Sequence, residues 1–373
     1  MERKSSLREV GLLFLKLGTI AFGGPPVHIA MMQEEVVRRR KWIDEQHFLD
    51  LVGATNLIPG PNSTEMTMHC GFERAGKAGL FVAGACFILP AVLITGTLAY
   101  LYQQYGTLPA VQPFIYGIKP AVIAIVLAAA WSLGKKAIRN IPLLLLGIAT
   151  LTAVLAGVNE IIALFAAGAI GILFYYGLQK RSALPLFFPF MLLQIMPMGT
   201  PSAMRIFFIF LKVGALLYGS GYVLLPFLEA ELVTPGYLLQ AQLIDAIAVG
   251  QVTPGPVLST ATFVGWGLGG FWGAVAATIG IFLPSFLFVW LLNPLVPRMR
   301  NSKPFAAFLD AVNVASVAVI VSACANMTRN AVQDWRTICI LLLSIAVVLT
   351  WNKLNSVWIV IGGALLGYLL YWV

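Results

Sequence analysis

Charge is scarce in this sequence: Asp, Glu, Lys and Arg make up 10% of 373 residues, against roughly 25% in an ordinary soluble domain. So few charges cannot cover a water-facing surface of normal size. This excludes a soluble enzyme and, despite a formal net charge of +9, a soluble nucleic-acid binder. Histidine is nearly absent. His28, His47 and His69 form no HxxxH or HExxH arrangement, which argues against a metal enzyme. The four cysteines, Cys70, Cys86, Cys324 and Cys339, have no CxxC spacing and read as small hydrophobes in packed helices. A GxxxxGK[ST] loop is also missing, which removes direct ATP drive. Neither a metal nor a cofactor is expected. What the chain has in abundance is apolar length: 59% of it is hydrophobic, with runs from Leu80 to Leu101, Ala121 to Leu133 and Trp358 to Trp372. A spanning helix needs about 20 mainly apolar residues, so the chain reads as an all-α polytopic membrane protein. The charged stretch from Met1 to Val10 is followed by no small-residue cleavage site and is expected to be retained.

The chain is written twice. Phe14-Leu-Lys-Leu-Gly18 returns as Phe210-Leu-Lys-Val-Gly214, and Asp50 with Pro59-Gly60-Pro61 returns as Asp245 with Pro254-Gly255-Pro256. Leu89-Pro90 matches Leu283-Pro284, and Gly76 and Gly79 match Gly270 and Gly273. An ordered series at almost constant spacing marks a tandem duplication. The expected division is a first repeat over 1–181, an apolar membrane-crossing linker over 182–200 and a second repeat over 201–373.

Basic loops fix the orientation. Arg38-Arg-Arg-Lys41, the Arg74/Lys77 turn, Lys135-Lys136-Arg139 and Lys180-Arg181 mark cytoplasmic turns of the first half. In the second half the pattern reverses. The counterpart of the Arg38 loop, from Glu229 to Leu239, lacks basic residues, whereas that of the neutral Gln103 loop carries Arg298, Arg300 and Lys303. Arg329 and Arg336 fall outside this scheme, but the balance favours an inverted repeat. Segments 9–33 and 47–70 have cytoplasmic flanks on both sides and are interrupted by Gly23-Gly-Pro-Pro26 and Pro59-Gly-Pro61. They are therefore expected to enter, break and return. The sum is about nine spans plus four re-entrant hairpins, with the N-terminus cytoplasmic and the C-terminus external. Broken backbone must sit against protein or a watery cavity, so the breaks are where a substrate site is expected.

Pro61 and Pro256 suit the first position of short helices, and free amides at a helix start favour an anion. Gly60 and Gly255 allow close backbone approach. Ser63, Thr64, Ser259 and Thr260 add hydroxyl donors, and Asn56 and Gln251 precede the two breaks. Lys16 and Lys212, matched within apolar surroundings, would suit a dianion if they face a cavity; the alternative is that their stems reach the headgroup region. Glu65, just beyond the first Pro-Gly-Pro break, is a candidate proton carrier, or else an acidic cap on its helix. His28 could donate to an oxyanion or serve a structural bond.

These motifs, Phe22-Gly-Gly-Pro-Pro-Val-His-Ile29, Asn56-Leu-Ile-Pro-Gly-Pro61, Gly219-Ser-Gly-Tyr222 and Gly250-Gln-Val-Thr-Pro-Gly-Pro256, resemble those of the chromate ion transporter family in its long two-domain form. The resemblance covers essentially the whole chain. It implies proton-motive export of chromate across the bacterial inner membrane, conferring chromate resistance, with sulfate as the competing substrate. The glycines Gly23, Gly24, Gly219 and Gly221 and the hydroxyl of Ser220 join the expected substrate-binding set. A channel, and more distantly a membrane-embedded enzyme, are the alternatives; the thin supply of His, Asp and Glu in apolar segments speaks against the latter. The expected partners are the oxyanion, the bilayer and, left open, a second copy of the chain.

Overall fold

The computed structural model describes residues 2–22, 24–55, 58–106, 108–179, 201–218, 221–292, 303–351 and 354–372. The linker over 182–200, including the apolar run from Leu184 to Met198, and most of the Arg298–Lys303 loop lie outside the described residues. Fourteen α-helices occur in the described residues, and they divide into two sets of seven. The first set is α1 (Glu2–Ile20), α2 (Pro25–Met32), α3 (Glu45–Thr55), α4 (Asn62–Tyr105), α5 (Gln112–Ala137), α6 (Ile141–Leu155) and α7 (Glu160–Gln179). The second is α8 (Ala203–Leu216), α9 (Leu224–Leu228), α10 (Gln240–Val252), α11 (Thr260–Leu292), α12 (Lys303–Ala331), α13 (Trp335–Thr350) and α14 (Ser356–Tyr371). Even the irregularities repeat: π-helical turns at Gln33–Arg39 and Glu229–Val233 follow α2 and α9.

Helices α4 and α11 each contain a reversal. Ala75 and Gly76 take φ/ψ of −141/20 and 63/−153, and Gly269 and Gly270 take −152/25 and 60/−149. Only glycine adopts the second of these conformations without a side-chain penalty. The two legs fold back so tightly that a Cβ on Gly71 would strike the Gly79 carbonyl, and one on Gly265 that of Gly273. Each long helix is therefore a short returning leg followed by a long crossing leg.

Ion pairs show which legs form hairpins. Glu9, near the start of α1, holds Arg40 beyond α2 at 2.9 Å, so that α1 goes in and the 25–39 segment comes back. His47, at the start of α3, lies 3.3 Å from Glu73 at the end of the short leg of α4. Arg74 joins the two hairpin mouths by reaching Glu9 at 2.9 Å. The long leg of α4, residues 77–105, leads away from this cluster over about 42 Å at 1.5 Å per residue. At its far end Tyr102 donates to Asp245 of α10 at 2.6 Å, and Trp266 of α11 donates to Gln103 at 2.8 Å. The second-half hairpin thus opens at the end opposite the first. The architecture is an inverted tandem repeat with re-entrant hairpins.

The α12–α13 connection, whose Asp334 accepts from the Tyr116 hydroxyl, lies at this far end too. Arg329 and Arg336 are placed there with it, as the expected topology requires and their charge does not. Arg38–Arg40, Arg74, Lys77 and the α5 terminus, where Arg139 meets Asp310 at 3.3 Å, gather at the near end.

Among the described residues four helices are long and apolar enough to cross a membrane: Asn62–Tyr105, Gln112–Ala137, Val257–Leu291 and Lys303–Ala331. Four shorter apolar helices, Ile141–Leu155, Glu160–Phe174, Trp335–Thr350 and Ser356–Tyr371, stand beside them. Leu145, Ile148, Leu173, Leu342 and Leu369 are exposed along them, as side chains facing lipid should be. Lipid offers no hydrophobic drive for helix association, so small residues carry the packing. Gly18 sets α1 against the Phe87 carbonyl, Gly214 sets α8 against that of Ile281, and Gly117, Gly363 and Gly367 bring α5 and α14 together.

Candidate functional site

All four breaks meet at the centre. The N–H of Gly60, in the second break of the first half, donates to the Leu217 carbonyl in the first break of the second half at 2.7 Å. The N–H of Gly255 returns the contact to the Ala21 carbonyl at 2.8 Å. Each repeat therefore satisfies a backbone group that the other repeat's break has freed, which removes a cost of several kcal/mol per unpaired group in a bilayer. Gly60 and Gly255 have φ of 140° and 89°, which explains the glycine in both Pro-Gly-Pro motifs.

Around these bonds lies a narrow cavity lined by Pro25, His28, Pro61, Ser63, Gly221, Tyr222 and the segment Pro256–Leu258. Its free space, about 10 Å³, is room for one water-sized group. The start of each of the four returning limbs contributes: Pro25 opens α2, Pro61 precedes α4, Gly221 opens the turn before α9, and Pro256 precedes the turn at Val257–Ser259. Leading amides of such elements lack helical partners, and their aligned dipoles favour negative charge. Among the lining residues the one side chain that can become cationic is His28. A second cavity shares Gly221, Tyr222 and Val257 with the first and continues between α5 and α10, past Val126, Ile247, Gln251 and Thr260.

Unpartnered buried polar atoms cluster here. His28 Nδ1, Thr64 Oγ1 and Ser259 Oγ make no hydrogen bond, while Glu65 pairs with Ser285 and Gln251 with Tyr222. Burial without partners is costly, and these groups lie in or beside the breaks. Glu65, Thr64 and Ser259 are wholly buried, and Ser63 and Thr260 nearly so. The carboxylate of Glu65 faces the Ser285 hydroxyl across Gly60, since a Cβ on Gly60 would run into both groups. Thr260, its counterpart, bonds its own helix through the Val257 carbonyl at 2.8 Å.

The expected site residues divide. His28, Ser63 and Gly221 line the first cavity, and Gln251 and Thr260 line the second. Gly24, Gly60, Gly255, Thr64, Glu65 and Ser259 belong to the surrounding breaks. Gly23, Asn56, Gly219 and Ser220 lie outside the described residues. Lys16 and Lys212 do not line either cavity. Each closes on a glutamate of its own hairpin 19 residues further on, Lys16 on Glu35 at 3.2 Å and Lys212 on Glu231 at 2.7 Å. Lys16 remains half exposed.

Tyr222 and Ser285 are the additions. Tyr222 stood inside a quoted motif and Ser285 follows the repeated Leu-Pro pair, yet neither has a polar counterpart in the other half to single it out. A partly buried triad was also not foreseen: Asp245 accepts from Tyr102 and lies 3.6 Å from Lys119 of α5. There Asp245 served only as a marker of the repeat.

The chromate transporter family profile matches residues 8–172 and 204–368, one copy on each structural repeat. The chain is 31% identical to the chromate transport protein of Cupriavidus metallidurans over 98% of its own length and 94% of the relative's. It is 30% identical to a probable chromate transport protein of Synechococcus elongatus, covering 98% and 96% of the two chains. It is also 30% identical to the chromate transport protein of Pseudomonas aeruginosa, covering 96% and 91%. No solved structure matches the chain. With its two profile copies lying on the two arms of one inverted repeat, the chain belongs to the chromate transporter family.

Proposed function

We propose that this protein exports chromate from the cytoplasm by secondary active transport, drawing on the proton-motive force and conferring chromate resistance. The observation that carries this reading is the meeting of four returning-limb starts at one central cavity between the repeats, with His28, whose Nδ1 is unpartnered, in its lining. Inverted-repeat transporters place their substrate there, with helix starts turned to anionic groups. The narrowness of the cavity fits a closed state that must open to admit a tetrahedral ion. Names given to the relatives above favour transport over membrane-embedded catalysis.

We read the basic end, with Arg38–Arg40, Arg74, Lys77, Lys135 and Lys136, as the cytoplasmic side on the positive-inside rule, with the N-terminus in the cytoplasm and the protein in a bacterial inner membrane. In this reading Glu65 carries the coupling proton. It is wholly buried beside the Gly60 break, and a neutral carboxyl can occupy that place far more cheaply than an ionised one. The backbone starts, Ser63, Thr64 and Ser259 hold the oxyanion, and Gln251 and Thr260 flank the continuation toward the far end.

The test is uptake of radiolabelled chromate and sulfate into inverted membrane vesicles with an imposed pH gradient. Gradient-driven accumulation of chromate supports the reading. Flux that equilibrates without accumulating, whatever the gradient, replaces the exporter by a channel. Absence of protein-dependent flux of either ion rejects both.

A further inference from the structure

His28 is the one residue at the cavity whose hydrogen-bonding role the geometry assigns. The residue is 1% exposed and sits at the fourth position of α2, with Phe87 edge-on at 5.5 Å. Its Nε2 lies 3.1 Å from the Ala21 carbonyl. A carbonyl can only accept, so Nε2 carries the hydrogen. In a neutral imidazole the other nitrogen is then an acceptor, and that nitrogen, Nδ1, has no partner. The bond does not stand alone, because the same Ala21 carbonyl accepts the Gly255 N–H from the other repeat. Rotating the ring to free a donor would strip a bond from the contact that joins the halves.

The consequence is a proton requirement. An oxyanion can meet Nδ1 only if one proton lies between them. Either the ligand arrives as the monoprotonated acid and donates to neutral His28, or the ring is protonated and donates to the dianion. The two are one state with the proton drawn on different atoms, and the balance is the same: one oxyanion, one proton. Chromate readily supplies this proton, because the dianion takes up its first proton, giving hydrogen chromate, near neutral pH. Sulfate and selenate take theirs only in strong acid, so for them the whole cost of protonating a buried ring falls on binding.

We infer that His28 is the specificity-determining residue of the central site, selecting weak-acid tetrahedral oxyanions such as chromate over strong-acid ones of the same shape. This rests on the reading of the cavity as an oxyanion site. The other titratable groups on neighbouring elements do not duplicate the role. Tyr222 shares the cavity but stands on the opposite repeat. On α4, Glu65 is turned to Gly60 and Ser285, and His69 is buried two turns down the leg from the cavity. Lys16 is engaged by Glu35, which Arg39 and Arg40 also hold, on the rim side of the hairpin. The matched position in the second half is Leu224, an apolar side chain, so the selection belongs to one repeat.

The experiment compares chromate with selenate, a close match in shape and charge that differs in basicity, by competition for transport into vesicles between pH 6 and 8. On the parent protein chromate should compete at least tenfold better than selenate at neutral pH, with the advantage shrinking as pH rises and chromate loses its proton. His28→Gln, whose amide can donate without a proton from solution, should collapse the ratio toward one and flatten its pH dependence. A parent that takes selenate as well as chromate overturns the inference while leaving oxyanion transport intact. So does a His28→Gln protein that transports with the parent's ratio. A parent that moves neither ion overturns the oxyanion reading and this inference with it. Because the parent's own ratio is decisive, the test survives a variant that fails to fold.

Discussion

Replacing Gly60 by alanine adds one methyl group at the point where the repeats touch. The structure gives two costs. At φ 140° an L-residue is in a region that costs about 1–3 kcal/mol. The new Cβ would also collide with the Glu65 carboxylate and the Ser285 hydroxyl, and forcing atoms into a packed interior costs about 1–3 kcal/mol more. The expected loss of stability is then about 2–6 kcal/mol, with transport abolished because the Gly60 N–H can no longer hold the Leu217 carbonyl in place. Two other glycines supply controls. Gly236 has φ 83° with nothing within 4 Å of its virtual Cβ, so Gly236→Ala should cost only the backbone penalty, about 1–2 kcal/mol, and leave transport intact. Gly255 has φ 89° and would meet Ala91 Cβ at 3.1 Å and the Gly18 carbonyl at 3.2 Å, an intermediate case. Thermal unfolding of the detergent-purified variants, together with vesicle transport, should therefore rank Gly236, Gly255 and Gly60 in order of increasing damage. A Gly60→Ala protein as stable and active as Gly236→Ala would refute the proposed geometry.

Three further outcomes are expected. Glu65→Gln should keep substrate binding but lose the response of transport to an imposed pH gradient; a variant that follows the gradient as the parent does removes Glu65 from coupling. Single cysteines near Arg39 and near Gly236 should react with impermeant reagents from opposite faces of the membrane, and same-side reaction would contradict the inverted repeat. Lys16→Ala should loosen the α1 hairpin, by about 1 kcal/mol for a half-exposed pair, and leave oxyanion affinity unchanged. A clear fall in affinity would return that lysine to the substrate path.

The breaks were legible in the sequence because they need residues that nothing else supplies. Proline at a helix start and glycine at positive φ leave a signature that survives duplication, and Gly60 and Gly255, like Gly76 and Gly270, stand at matched positions for that reason. The reversal of basic loops carried the topology in the same way. Partnerships between distant groups were not legible. The bond from Gly60 to Leu217 uses backbone atoms, which no residue type announces. The Lys16–Glu35 pair depends on α1 returning antiparallel through a π-helical turn, whose extra residue sets which face Glu35 occupies. Tyr102, Lys119 and Asp245 come from three helices of two repeats, and only the packed structure brings them together.

The symmetry of the site is a property of its backbone, and its chemistry is not symmetric. Two reciprocal N–H to carbonyl bonds join the halves on equivalent terms, as expected of a framework that must be able to open toward either side. The side chains around those bonds differ. Gly60 is flanked by Glu65 and Ser285, whereas Gly255 faces Ala91, with Thr260 bonded back to its own helix. His28 stands where the second half has Leu224. A framework with equal halves gives equal access to both sides of the membrane and no preference for either. In the proton-coupled reading proposed above, the carboxyl and the imidazole stand in one half, so that proton binding there can favour one opening over the other. Moving the carboxyl, with Glu65→Thr and Thr260→Glu in one protein, should in that reading change the pH profile of vesicle transport, and a profile like the parent's would count against it.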